Sequence, residues 1–272
     1  MDIPKNRFLA NVGRNQTLWG CWLGLPDPNV AEIAAGAGFD WLLIDHEHAP
    51  FELNDVMAHL RAIEPYPTAA LVRPANSDPT LLKKFLEMGA QTFVVPMIDT
   101  SEQAQACADA VYYPPKGSRG VGTSLARAAR WNQVDGYLHK ANDEICLIVQ
   151  VETLTALDNL DAILRVDGVH GVFIGPSDLA ASMGKIGQGN DPELIAVCVD
   201  AVRKIKTAGK LAGILTLSDT LIEQCEQAGA DFIGTAVDTL LIGNAMREAA
   251  KKTRPSVIII PGNEYLESNP IT

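Results

Sequence analysis

Trp41-Leu42-Leu43-Ile44-Asp45-His46-Glu47-His48, running on through Ala49 and Pro50 to Phe51, sets four apolar residues directly against four ionisable ones. The apolar half reads as a buried strand, with no polar alternation to mark a solvent-facing side. Charge is costly to bury unless it is paired, and a solvated loop needs no such neighbour. Asp45 to His48 are therefore either a strand end facing ordinary water or the rim of a reaction site.

The same pattern recurs along the chain. Apolar, strand-length runs appear at TLWGCWLGL (17–25), FDWLLID (39–45), AALVRP (69–74), QTFVVPM (91–97), CLIVQVE (146–152), VHGVFIG (169–175), LAGILT (211–216) and DFIGTAV (231–237). Between them lie stretches with apolar residues at i, i+3 and i+4, such as DPTLLKKFLEMGA (78–90), TLTALDNLDAILRV (153–166) and PELIAVCVDAVRKIKTAG (192–209). Most of these close on Gly, as helices do. Eight such units imply a parallel sheet closed into an α/β (β/α)8 TIM barrel. An open doubly wound sheet is the alternative, but no G-x-G-x-x-G follows the first strand. Residues 1–272 read as one barrel domain without a linker. The irregular stretch at about 112–144 is expected to be an excursion in which TSLARAARW (123–131) and VDGYLHKAND (134–143) look helical. A tail from about 254 carries a short apolar piece, Val257 to Ile260.

Composition narrows the partners. A net charge of −11 argues against nucleic acid and anionic membrane, both of which demand a basic face. The N-terminus lacks an apolar signal region, and no run approaches the ~18 apolar residues of a membrane span, so a cytoplasmic protein with a small-molecule substrate is expected. Five cysteines without C-x-x-C spacing suit reduced core positions rather than disulfides or zinc. The triplet at Asn15 has the form of a glycosylation site but carries no meaning in a cytosolic chain.

In such a barrel the reactive groups stand at the C-terminal ends of the strands. Here Asp45, Glu47 and His48 close the second strand, Arg73 the third, and Gln150 and Glu152 the fifth, while Ser177 and Asp178 follow the sixth. Glu152 and Asp178 on neighbouring strands would repel one another unless a cation sits between them. Hard oxygen donors suit Mg²⁺ or Mn²⁺. The plainer alternative makes Asp178 the N-cap of the next helix and Glu152 a rim charge. Arg73 suits a carboxylate or a developing enolate oxygen, or else a structural ion pair with Glu47. His48 suits proton transfer, with Asp45 three residues before it fixing the tautomer, or else it is a solvated imidazole.

These residues carry a resemblance. FDWLLIDHEHAP (39–50), VRP (72–74), QTFVVPM (91–97), YYPPKGSRGVG (112–122), RAARWN (127–132), YLHKAND (137–143), VQVET (149–153), GVHGVFIGPSDLAASMG (168–184) and GILT (213–216) resemble the HpcH/HpaI aldolases. These are class II, pyruvate-specific enzymes such as 4-hydroxy-2-oxoheptanedioate aldolase and the 2-keto-3-deoxy-sugar-acid aldolases. The resemblance spans about residues 17 to 250. It implies a barrel of the phosphoenolpyruvate/pyruvate type whose last helix is swapped between subunits of a homohexamer, a dimer of trimers. It further implies retro-aldol cleavage of 4-hydroxy-2-oxo acids to pyruvate and an aldehyde, with a divalent cofactor, Mg²⁺, Mn²⁺ or Co²⁺. Glu152 and Asp178 would be the metal ligands, Arg73 would hold the pyruvate enolate, and His48 paired with Asp45 would be the acid/base. Gln150 would line the pyruvate pocket, and the backbone of Gly175, Pro176 and Ser177 would receive the carboxylate. Glu87 stands where relatives carry an acid that reaches the neighbouring subunit's site. His46 replaces the usual Gly, which would narrow the aldehyde side of the pocket or add a second imidazole.

Three rivals remain. A lysine Schiff-base aldolase needs an interior lysine, but the lysines fall on helices or, for Lys210, at the wrong end of a strand. A malyl- or citramalyl-CoA lyase needs basic residues for the CoA phosphates, and the mouth offers few beyond Arg73, Lys116 and Arg119. A non-catalytic metal-dependent binder of pyruvate or oxalate would need no Asp45 and His48.

Overall fold

Each of the eight apolar runs forms a strand: β1 Leu18–Leu23, β2 Trp41–Asp45, β3 Ala69–Arg73, β4 Thr92–Val95, β5 Cys146–Val151, β6 Gly171–Ile174, β7 Leu211–Leu215 and β8 Phe232–Val237. The computed structural model describes residues 1–14 and 16–253, so Asn15 and the tail with Val257 to Ile260 lie outside the described residues. The strands pair in parallel in chain order, and β8 returns to β1 to close the barrel.

A strand turns successive side chains to opposite faces, so each run serves two cores at once. Trp22, Trp41, Leu43, Leu71, Phe173 and Phe232 fill the barrel interior. Leu42, Ile44, Val72, Val149, Ile174 and Ile214 pack outward against the helices. This double burial is why the runs lack polar alternation. Inside, the rings meet edge-on or tilted, with Trp41 and Phe232 centroids 5.8 Å apart and Trp22 and Phe173 5.5 Å apart. Gly20 makes room for this packing, because a Cβ there would lie 2.1 Å from the Trp41 indole.

Helix starts are written locally. Asp27, Asp78 and Asp191 each cap a helix by accepting first-turn amides, and each is followed by a proline whose missing N–H is harmless there. The first residues, unassigned from sequence, close the N-terminal end of the barrel. Asn6 caps the short helix Arg7–Asn11, and Phe8 stands edge-on to Phe232 at 5.1 Å. All five cysteines are free and buried, as expected.

Two local expectations need correction. The stretch TSLARAARW forms only a 3₁₀ turn, Arg127–Ala129, because Arg130, Trp131 and Asn132 all take positive φ and end any right-handed helix. The stretch 153–166 breaks into Leu154–Asp158 and Leu160–Leu164 at Asn159. In the excursion only Tyr137–Lys140 is α-helical. Gly20→Ala should destabilise the protein by about 1–3 kcal/mol through overpacking, read as a lowered denaturation midpoint at unchanged m-value.

Candidate active site

Asp45 continues the inward series of Trp41 and Leu43, which brings its carboxylate over the interior core at the C-terminal mouth. The β2–β3 register sets it opposite Arg73. Arg73 Nε donates to Asp45 Oδ1 at 2.9 Å and Nη2 to Oδ2 at 2.6 Å, a bidentate fork. The Trp22 indole N–H also donates to Oδ2 at 3.2 Å, and the Glu47 and His48 amides donate to Oδ1 at 3.0 and 3.3 Å. Burial works against the Asp45 charge, but the Arg73 guanidinium outweighs it and holds the carboxyl below its ordinary value. The guanidinium lies 5.0 Å from the Trp22 ring centroid.

The expected pairing of Asp45 with the His48 ring is not formed. Both Asp45 oxygens are taken by Arg73, Trp22 and two amides, so this carboxylate orients the arginine and the turn after β2. The His48 side chain is 67% exposed, and its nearest acid is Glu47, with Nε2 to Oε2 at 3.9 Å. Glu47, in the turn after β2, lies 3.1 Å from Arg73 Nη1. Its carboxyl is raised by burial and by Asp45 and Asp178.

On β5 the inward positions are Cys146, Ile148, Gln150 and then Glu152. Gln150 Nε2 donates to Glu152 Oε2 at 2.5 Å, and the Met97 amide donates to Oε1 at 2.8 Å. Burial, reinforced by Asp178 and Glu47, pushes the Glu152 carboxyl up to about 7. Gly175 permits this crowding, because a Cβ there would sit 2.5 Å from Glu152 Oε2. Asp178 lies exposed in the first turn of the helix Pro176–Ser182, whose N-cap is Gly175. It is therefore not the capping residue.

A family model described as HpcH/HpaI aldolase/citrate lyase matches residues 18–245. The chain belongs to this family. It is 50% identical over 250 residues to a hydroxypyruvate/pyruvate aldolase of Pseudomonas aeruginosa, covering 92% of this chain and 93% of that one. It is 48% identical over 244 residues to a 2-keto-3-deoxy-L-rhamnonate aldolase of Klebsiella pneumoniae, covering 90% and 91%. Among solved structures, a HpcH/HpaI aldolase/citrate lyase family protein from Burkholderia cenocepacia superposes with a TM-score of 0.85 at 34% identity, covering 90% of this chain and 98% of that one.

The mouth suits a hard divalent cation, as this family assignment invites. Three acids, Glu47, Glu152 and Asp178, repel one another there, and Arg73, the buried base beside them, is already bound to Asp45. Buried Gln150 Oε1 has no hydrogen-bond partner among the described residues, whereas Glu47 Oε2 is held 3.1 Å from Arg73 Nη1. All are hard oxygen donors. Among the described residues no group of three or more His, Cys, Asp or Glu side chains is placed to hold a metal ion, so the candidate ligands are the pair Glu152 and Asp178.

The remaining predicted residues fall as follows. The N–H of Gly175 goes to the Val151 carbonyl and Pro176 has none, so neither can donate to a substrate carboxylate. Within the loop the amides of Ser177 and Asp178 remain. The His46 ring points away from the mouth and packs edge-on against the core residue Phe85, with centroids 5.1 Å apart and burial lowering its pKa. Of the expectation that His46 narrows the aldehyde side, the structure shows that the ring is half-buried and packs on Phe85. Glu87 pairs with buried Arg119 at 2.8 Å, and Arg119 lies over the Tyr113 ring; within one chain Glu87 does not join the mouth. Arg119 is thus committed, and Lys116 rests on the Tyr112 ring, which leaves little to bind CoA phosphates. Among the described residues no lysine is buried. Sequence reasoning missed Met97 and Trp22. Trp22 lies one alternation step from the end of β1, a signal the period-2 rule could have supplied.

The depressed Asp45 pKa stabilises the fold above the unfolded value near 4, and this contribution is lost as pH falls through the folded value. Asp45→Asn should cost about 3 kcal/mol at neutral pH, on the scale of breaking a buried pair, and should flatten the acid limb of the stability profile below about pH 4. Urea unfolding across pH 2 to 7 checks both.

Proposed function

We propose that the protein is a divalent-metal-dependent aldolase, reversibly cleaving 4-hydroxy-2-oxo acids into an aldehyde and pyruvate or its hydroxylated analogue. The observation that carries this reading is the juxtaposition, at one barrel mouth, of Arg73 with the carboxylates of Glu152 and Asp178. The names of the relatives support a short 2-oxo acid donor, and the absence of a buried lysine among the described residues supports class II chemistry.

Glu152 and Asp178 would hold Mg²⁺, Mn²⁺ or Co²⁺, which supplies a Lewis acid for the 2-oxo acid. Arg73 uses two of its five N–H groups on Asp45 and one contact on Glu47, leaving donors for the negative charge that develops on the keto oxygen. Because Asp45 and Trp22 fix the guanidinium, this stabilisation requires little reorganisation. Gln150 orients Glu152 and lines the pocket. The amides of Ser177 and Asp178 face the substrate carboxylate from a helix N-terminus. His48, exposed at the rim, takes the proton from the C4 hydroxyl and returns it in the aldol direction.

Assembly into a homohexamer with the last helix exchanged belongs to the same proposal. Beyond Asp238, no residue from 239 to 252 of the helix Asp238–Thr253 is buried, and Leu241 and Met246 are exposed. Unpartnered Glu87 Oε2 and Arg119 Nη1 also suit a contact with a second subunit. Light scattering should give a mass near six chains; a monomer would contradict the assembly.

Chelation should abolish retro-aldol activity and added Mn²⁺ should restore it, whereas borohydride with pyruvate should trap no adduct. Two variants separate the roles. Oxaloacetate decarboxylation and aldol cleavage share the developing enolate charge, so Arg73→Ala should impair both. Only cleavage loses a hydroxyl proton, so His48→Ala should slow it about 10²- to 10⁴-fold, the usual worth of a general base, while largely sparing decarboxylation. Equal losses in His48→Ala would remove the histidine from the acid/base role.

A further inference from the structure

Met97 is the first residue after β4 and Pro96, and its φ is +56°. That region disfavours residues with a side chain, and Gly would occupy it freely. Such strain persists only where the surroundings enforce it, and it concentrates at functional sites. Burial does not compensate here, because Met97 is 49% exposed. The backbone on either side is pinned instead. Before it, Val95 pairs with Val149 in the sheet; after it, the Ile98 amide donates to the Gln150 carbonyl at 3.1 Å, and Ile98 itself is 1% exposed. Between these anchors the left-handed turn directs the Met97 N–H onto Glu152 Oε1 at 2.8 Å.

Glu152 is thereby held at both oxygens. Gln150 Nε2 donates to Oε2 at 2.5 Å and the Met97 amide to Oε1, while the missing Cβ of Gly175 makes the room that Oε2 occupies. A carboxylate held this way presents its remaining lone pairs in one direction, as groups that orient a metal ligand do.

We propose that Met97 is a positioning residue for the metal centre, acting through its backbone: the left-handed turn after β4 aims an amide at Glu152 and sets the orientation in which that carboxylate ligates the cation. This rests on the assignment of Glu152 as a ligand. The thioether itself is dispensable, and what matters is an N–H at positive φ.

The test is a calorimetric Mn²⁺ titration of the full chain without substrate, comparing the parent with Met97→Gly, Met97→Ala, Met97→Val, Met97→Pro and Glu152→Gln. Gly keeps the N–H and adopts positive φ readily, and Ala keeps the N–H without the thioether, so both should bind Mn²⁺ within about two-fold of the parent. Val resists positive φ and Pro forbids it while deleting the N–H. Both should weaken Mn²⁺ binding about 10- to 100-fold, the usual effect of losing an outer hydrogen bond to a ligand. Should Met97→Pro fail to fold in a circular dichroism melt, Met97→Val decides. Parent-like affinity in Met97→Val, or a loss in Met97→Gly as large as that in Met97→Val, would overturn the proposal while Glu152→Gln still lost the metal. Parent-like affinity in Glu152→Gln would instead overturn the metal assignment, and this inference with it.

Discussion

Charge balance at the barrel mouth governs the rest of this site. Four acids, Asp45, Glu47, Glu152 and Asp178, converge around one buried base, Arg73. Asp45 and Arg73 neutralise each other through a two-bond fork. Glu47 adds a 3.1 Å contact to Arg73, and the most buried of the remaining acids, Glu152, is pushed up to about 7. Such a cluster has two ways to relax: it takes up a proton, or it takes up a cation. A divalent ion held by Glu152 and Asp178, as proposed, would relieve that pair and leave Arg73's spare donors for an anionic substrate.

Much of this was legible in the sequence because barrels obey simple rules. The apolar runs gave all eight strands, since burial on both faces erases alternation. The strand-end rule drew Arg73, Gln150 and Glu152 out of a chain in which they lie far apart. The period-2 rule ends with β2 at Asp45, so the directions of His46 and Glu47 in the following turn were not legible from it. What remained hidden depends on competition among partners. Nothing in the order Asp45-His46-Glu47-His48 says that Arg73 will capture Asp45 before His48 can. The positive φ of Met97 is likewise invisible, because methionine carries no mark for it. Three successive left-handed residues at Arg130, Trp131 and Asn132 defeated a helical reading for the same reason.

The His46 ring packs on the core residue Phe85, away from the open rim of the mouth. Exposed His48 and Met97 stand at that rim.

Anomalous scattering from crystals grown with Mn²⁺ would locate the proposed ion. One strong peak is expected at the C-terminal mouth, in contact with a carboxylate oxygen of both Glu152 and Asp178. A map with no peak there, or with the ion bound elsewhere while those two carboxylates remain apart from it, would rule out this metal site.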